Sequence, residues 1–158
     1  MNNKQTTIKD SVSLEGVGIH TGKDVKLTFH PAKENTGYIF KRVDLDDKPE
    51  IEALAKYVVN TQRGTTLEKD GVKLKTTEHV LAALVGLEID NILIEINAEE
   101  PPIMDGSSKF FVNALEKAGL KELSSLRKEY IVKDVISFND PDSGSEITLI
   151  PSENYQIT

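Results

Sequence analysis

The 158-residue chain contains no cysteine, which excludes disulfide frameworks, thiolate zinc sites and cysteine nucleophiles together. Long apolar runs are missing as well. No stretch approaches the roughly 18 apolar residues of a membrane span, and Met1-Asn2-Asn3-Lys4-Gln5-Thr6-Thr7 lacks a signal-peptide core. A soluble, cytoplasmic globule is therefore expected. Positive charge is in the minority: 19 basic against 26 acidic side chains leave a net charge of −7, which argues against a surface built to neutralise nucleic-acid phosphates. Histidine is scarce, with 3 in the chain. A catalytic zinc commonly takes three protein ligands and a water, so each histidine merits a test.

What is present begins with a period of two. Val25, Leu27 and Phe29 alternate, Tyr38-Ile39-Phe40 repeats the signal, and Pro31 with Asn35-Thr36-Gly37 supplies turn chemistry between them. Gly16-Val17-Gly18 and Thr21-Gly22 break the apolar pattern before it, so hairpins are expected. Residues 44–49 form an acidic, proline-containing loop, the stretch Ile51 to Leu67 reads as extended, and Asp70-Gly71 as a tight turn. A mostly antiparallel sheet follows from these signals.

The period then changes. Val80, Leu81, Leu84 and Val85 fall at helical spacing around Ala82-Ala83, with Thr77 as cap and Gly86 as the left-handed terminator. Strand pattern returns in Ile92, Ile94 and Ile96 and is stopped by Pro101-Pro102. After Asp105-Gly106, Ser107 is expected to cap a second helix carrying Phe110, Phe111, Ala114, Leu115 and Ala118, ended by Gly119. The fold class expected is α+β, a two-layer sandwich of the sheet against two helices. Lys121 to Glu129 reads as a connector. New strands are expected at Tyr130-Ile131-Val132, Val135-Ile136, Glu146 to Ile150 and Tyr155 to Thr158, with a turn at Asp140-Pro141-Asp142-Ser143-Gly144. The last strand has no terminating signal, so the chain is expected to hold a first domain, 1–125, and the opening strands of a second, 126–158, of a longer protein.

Chemistry is most visible at Glu78-His79, a carboxylate beside an imidazole at a helix start, where backbone N–H groups and the helix dipole favour an anion. A neutral imidazole there can ligate a metal. Taken alone the dipeptide reads first as an ordinary helix start, because a metal site needs several converging groups. His20-Thr21-Gly22-Lys23-Asp24 has the H-x-x-x-D spacing that joins two ligands on one helical face, but its glycine and the strand that follows oppose a helix, so the two side chains diverge. His30, before Pro31, reads as a surface or turn residue. Asp105-Gly106-Ser107-Ser108 reads as a turn followed by a cap.

Four segments in order, Glu15 to Gly22, Thr76 to Leu84, Gly86 to Asn91 and Pro102 to Ser107, resemble those of the UDP-3-O-acyl-N-acetylglucosamine deacetylases, and the likeness extends over nearly the whole chain. That family is a bacterial zinc hydrolase of lipid A (lipopolysaccharide) synthesis, acting on a linear amide: it removes acetate from a UDP-linked, O-acylated N-acetylglucosamine. The resemblance implies two similar α+β domains with the site between them. It also implies that His79 binds Zn2+ and that Glu78 is the general base. Zinc lowers the pKa of a bound water toward roughly 7 and polarises the amide carbonyl, while the adjacent carboxylate accepts a proton. No second histidine lies four residues on, so the site differs from H-E-x-x-H metalloproteases.

In the family the other two zinc ligands form an H-x-x-x-D pair on a second-domain helix, and a cationic histidine follows later. Neither falls within this chain, so the chain alone is expected to be inactive and to bind zinc weakly. Residues Thr61 to Thr66 resemble the family's first-domain insert, which makes Arg63 a candidate contact for a phosphate or hydroxyl of the nucleotide sugar, or else a solvated strand residue. His20 and Asp105 are candidates for shaping the interdomain cleft. Some relatives are fused to a 3-hydroxyacyl carrier-protein dehydratase. The competing class is a non-catalytic α+β binding or assembly domain.

Overall fold

A computed structural model describes residues 4–157, which divide into two units, Met1–Arg127 and Lys128–Thr158. In the first unit the chain starts with β1 (Lys4–Ile8), β2 (Val12–Val17), β3 (Asp24–Pro31), β4 (Tyr38–Arg42) and β5 (Glu50–Glu52). A 3-10 turn (Ala55–Tyr57) leads to β6 (Val58–Asn60), β7 (Thr66–Lys69) and β8 (Val72–Leu74), and then to α1 (Glu78–Gly86). The unit closes with β9 (Ile92–Ile96), α2 (Lys109–Ala118) and β10 (Leu120–Leu126). The expected α+β class holds.

The main sheet has five strands in the order β2-β3-β9-β4-β5. All its pairings are antiparallel except β4 with β9, which run parallel. Alternation places Val25, Leu27 and Phe29 on one face of β3 and Ile92, Ile94 and Ile96 on the same face of β9. Register sets Phe29 opposite Ile94, and Ile94 opposite Phe40 on the other side, so a row of fully buried side chains crosses three strands. The helices cover this face: the Phe111 ring on α2 meets Phe29 edge to face, with centroids 6.5 Å apart, and Val80, Ala83 and Leu84 of α1 join the same core. Val85 lies well off that stripe and is exposed, and Ala83 takes the place expected of it.

Smaller sheets flank this core. Strands β6-β7-β8 form one, and Asp70 and Gly71, both at positive φ (51° and 78°), make the tight β7–β8 turn. The stretch from Ile51 to Leu67 is not uniformly extended, because the 3-10 turn and a bend at 62–64 interrupt it. Lys121 to Leu126 is not a connector: it lies within β10, which pairs antiparallel with β1. The pairing is reinforced by the Glu34 carboxylate, which accepts the N–H and hydroxyl groups of Ser124 and Ser125.

Helix ends also depart from expectation. Gly86 is not the left-handed terminator; Glu88 is, with φ 54°. Ile89 N–H reaches Leu84 O and Glu88 N–H reaches Val85 O, both at 3.0 Å, which is the Schellman pattern. Arg127 offsets the cost of a non-glycine residue there by donating to both the Glu88 carbonyl and its carboxylate. The α2 cap position falls on Ser108 rather than Ser107, and Ser107 Oγ accepts the Lys109 N–H from one residue further out.

The second unit, taken by itself, contains the antiparallel hairpin β11 (Ile136–Asp140) and β12 (Ser145–Leu149). Its turn forms as expected: the Asp140 carboxylate accepts Asp142 N–H and Ser143 Oγ–H, and Gly144 takes φ 68°. Tyr130 to Val132 and Tyr155 to Ile157 carry no strand, and Thr158 lies outside the described residues. A strand at either place needs a partner edge, and none is paired there.

Candidate active site

Glu78 and His79 open α1, directly after the short span Lys75-Thr76-Thr77 that leaves β8. Thr77 sits at the cap position, but its hydroxyl does not cap the helix; it donates to Thr65 O at 3.3 Å. The neighbouring carboxylate grips the same residue, with Glu78 Oε2 accepting Thr65 N–H at 2.8 Å. Two consecutive side chains are thus spent holding the 61–65 bend against the helix start. Glu78 Oε1 and the His79 ring have no hydrogen-bond partner among the described residues, and both side chains are half-buried.

Gly64 explains how the bend comes so close. At φ 151° it takes a conformation favourable only to glycine, and a β-carbon there would stand 3.3 Å from Glu78 Oε1 and 3.6 Å from Thr76 Oγ1. Thr76 itself is strained: a β-branched residue at φ 53° is rare and is retained only where its surroundings fix it. Arg63 occupies the tip of this bend, also left-handed at φ 59°, exposed and without a partner among the described residues. It is two residues from the amide that Glu78 holds.

The glycine-rich segment after β2 arrives from the other side. Gly18 N–H bonds Lys23 O and Gly22 N–H bonds Gly18 O, both at 3.0 Å, closing a tight loop. Its contents converge on one carboxylate. Glu100 Oε1 accepts His20 N–H (2.9 Å), Thr21 N–H (2.7 Å) and Thr21 Oγ–H (2.8 Å), while Oε2 lies 3.1 Å from His20 Nδ1. A β-carbon on Gly18 would collide with that carboxylate and with the Thr21 hydroxyl. Glu100 is fully buried. Burial alone would raise its pKa, but the hydrogen bonds from Thr21 and His20 outweigh burial and hold the carboxyl below its ordinary value. His20 Nδ1 also lies 3.4 Å from Thr76 Oγ1, which brings the loop to the edge of the Glu78 site.

The histidines therefore separate. His20 is half exposed and belongs to the Glu100 loop, while Asp24 starts β3. His30 lies within β3, between Ser11 Oγ and Glu95 Oε2. No group of three or more His, Asp or Glu side chains able to hold a metal occurs among the described residues. Asp105 closes its own turn by accepting the N–H and hydroxyl of Ser107. The segment Gly86 to Asn91 is a tie within the fold: buried Asn91 Oδ1 accepts Thr36 and Gly37 N–H, and Asp90 Oδ2 accepts Thr6 N–H and Arg127 Nε–H. Glu100 is not singled out by the sequence, because its partner His20 lies 80 residues away along the chain. The available signal was the tight Gly-Val-Gly spacing, which leaves room for a side chain from elsewhere.

Residues 5–158 match the family model described as LpxC, UDP-3-O-acyl N-acetylglycosamine deacetylase. The chain belongs to this family. It is similar to the bifunctional enzyme LpxC/FabZ of Bacteroides thetaiotaomicron, 48% identical over 98% of this chain and 33% of that protein. The bifunctional enzyme LpxC/FabZ of Chlorobaculum tepidum is 46% identical over the same shares. The UDP-3-O-acyl-N-acetylglucosamine deacetylase of Idiomarina loihiensis is 44% identical over 98% of this chain and 50% of its own length. The chain thus spans between a third and a half of these curated relatives. Family membership covers both units, and no helix among the described residues is long and apolar enough to cross a membrane.

Proposed function

We propose that the chain is the N-terminal part of a zinc-dependent deacetylase that removes acetate from UDP-3-O-acyl-N-acetylglucosamine during lipid A synthesis in the bacterial cytoplasm. The observation that carries this reading is the division of labour at the start of α1. Glu78 is anchored through one oxygen by Thr65 N–H and keeps the other unpaired, and the adjacent His79 ring is unpaired as well.

A zinc ion fits this donor set in part. His79 would hold it, and a zinc so held supplies a Lewis acid for the amide carbonyl and an acidified water. The remaining protein ligands would come from beyond residue 158, as the likeness to the zinc-dependent family implies. Glu78 Oε1 accepts a proton, and the Thr65 N–H keeps the carboxylate from turning away between cycles. Neighbouring helical residues diverge by about 100°, so Glu78 and His79 address adjacent but different points. Arg63, at the tip of the same bend, would contact a phosphate or hydroxyl of the nucleotide sugar.

The second unit is read as the opening of a second, similar domain, and the chain alone is read as inactive. Two of the relatives carry the name LpxC/FabZ and are about three times this chain's matched length, which supports a fusion with a dehydratase in the longer protein. The test is acetate release by the longer protein with Glu78→Ala and His79→Ala. The expected result is turnover lost by at least ~100-fold in both, with bound zinc retained in the first and lost in the second. Equal activity in all three proteins would leave the non-catalytic binding domain as the better account.

A further inference from the structure

The Glu100 loop contains more chemistry than a fold requires. A fully buried carboxylate could be satisfied by backbone alone, yet one of its oxygens is turned to an imidazole that is itself half exposed. The same ring nitrogen lies against Thr76 Oγ1, and Thr76, Gly64 and Glu78 Oε1 follow one another at close range. We propose that Glu100 is a positioning residue: its carboxylate holds His20 as the Nδ1–H tautomer and so leaves Nε2 to accept a hydrogen bond from a donor group of the substrate. This rests on the deacetylase reading of the site.

The argument is one of donors and acceptors. An ionised carboxylate only accepts, so a neutral His20 facing Glu100 Oε2 must carry its proton on Nδ1. Nε2 then holds a lone pair, and it suits a hydroxyl or amide N–H of the nucleotide sugar. Oε1 is already fixed by three donors from His20 and Thr21, so the carboxylate cannot rotate to release the ring. Glu100→Gln has a specific consequence. The same three donors demand oxygen at the Oε1 position, which puts the amide NH2 where Oε2 stood, facing Nδ1. The ring must then accept there, and its proton moves to Nε2.

The test is 15N NMR of imidazole-labelled longer protein, about two pH units above the ordinary histidine pKa of ~6.5, with the His20 signals assigned by their loss in His20→Gln. The wild type is expected as Nδ1–H and Glu100→Gln as Nε2–H, with KM raised ~10-fold and kcat changed less. A packing role alone would lower stability without reversing the tautomer. Three results overturn the proposal: Nε2–H in the wild type, which needs no variant to fold; an unchanged tautomer in Glu100→Gln; or a reversed tautomer with KM unaltered. Absence of deacetylation by the wild type would instead overturn the proposed function, and the tautomer comparison would still decide whether Glu100 sets the ring.

Discussion

Strands β3 and β9 and strands β11 and β12 are built from the same kind of sequence, alternating apolar and polar residues joined in antiparallel register. Their fates differ. In the first pair Phe29 and Ile94 are fully buried, whereas in the second Phe138 and Ile147, also directly opposite one another, are each 64% exposed. No described residue of 128–157 is buried. Pairing and turn chemistry are local and suffice to write a hairpin, but burial requires a facing layer, as α1 and α2 provide for the main sheet. The relatives are two to three times as long as the stretch they share with this chain.

That contrast can be broken most forcefully in the core. Phe29→Ala is expected to cost ~3–5 kcal/mol of stability by denaturant unfolding, and Phe138→Ala less than ~0.5 kcal/mol. Comparable losses at the two positions would mean that the hairpin packs on something after all. Next comes the residue that closes the first unit. Arg127 donates to Asp90 and to the side chain and carbonyl of Glu88, so Arg127→Ala is expected to cost ~1–2 kcal/mol. The exposed Lys133→Ala is expected to change nothing measurable.

The finest distinction is in acid. Hydrogen bonds from the hydroxyls of Ser124 and Ser125, then from the Ser124 amide, lower the Glu34 pKa from 4.5 to about 2. A depressed carboxylate stabilises the fold fully above its unfolded value, and that contribution is lost as pH falls through the folded value. NMR titration of the Glu34 carboxyl is expected to give a midpoint near 2, with the β1–β10 pairing loosening between 4.5 and that point. Glu34→Gln should remove this part of the acid response. An ordinary midpoint would show that the serines do not hold the carboxylate in solution.

How much of this was legible in the sequence depended on how far each partner lay along the chain. The β9 alternation, the α2 stripe and the Asp70-Gly71 turn are local patterns, and they were readable. Strand β10 was not, because Leu120 to Leu126 is polar, mostly exposed and defined by pairing with β1 at the far end of the chain. The end of α1 is not readable in the sequence because Glu88, and not a glycine, takes the left-handed position, where it is held by Arg127, 39 residues away. The candidate site divides in the same way. Glu78 and His79 are adjacent and were visible as a pair, but the grip of Glu78 on Thr65 and that of Glu100 on His20, 80 residues apart, exist only in the fold.

The central claim is that this chain brings a base and a single zinc ligand, and that the rest of the metal site lies elsewhere in the longer protein. Zinc stoichiometry after dialysis, measured side by side on the 158-residue chain and on the longer protein, tests it most directly. The account predicts near-stoichiometric zinc in the longer protein, lost on His79→Ala, and none retained by the chain alone. One zinc per chain, held by the 158-residue protein and indifferent to His79→Ala, would contradict it.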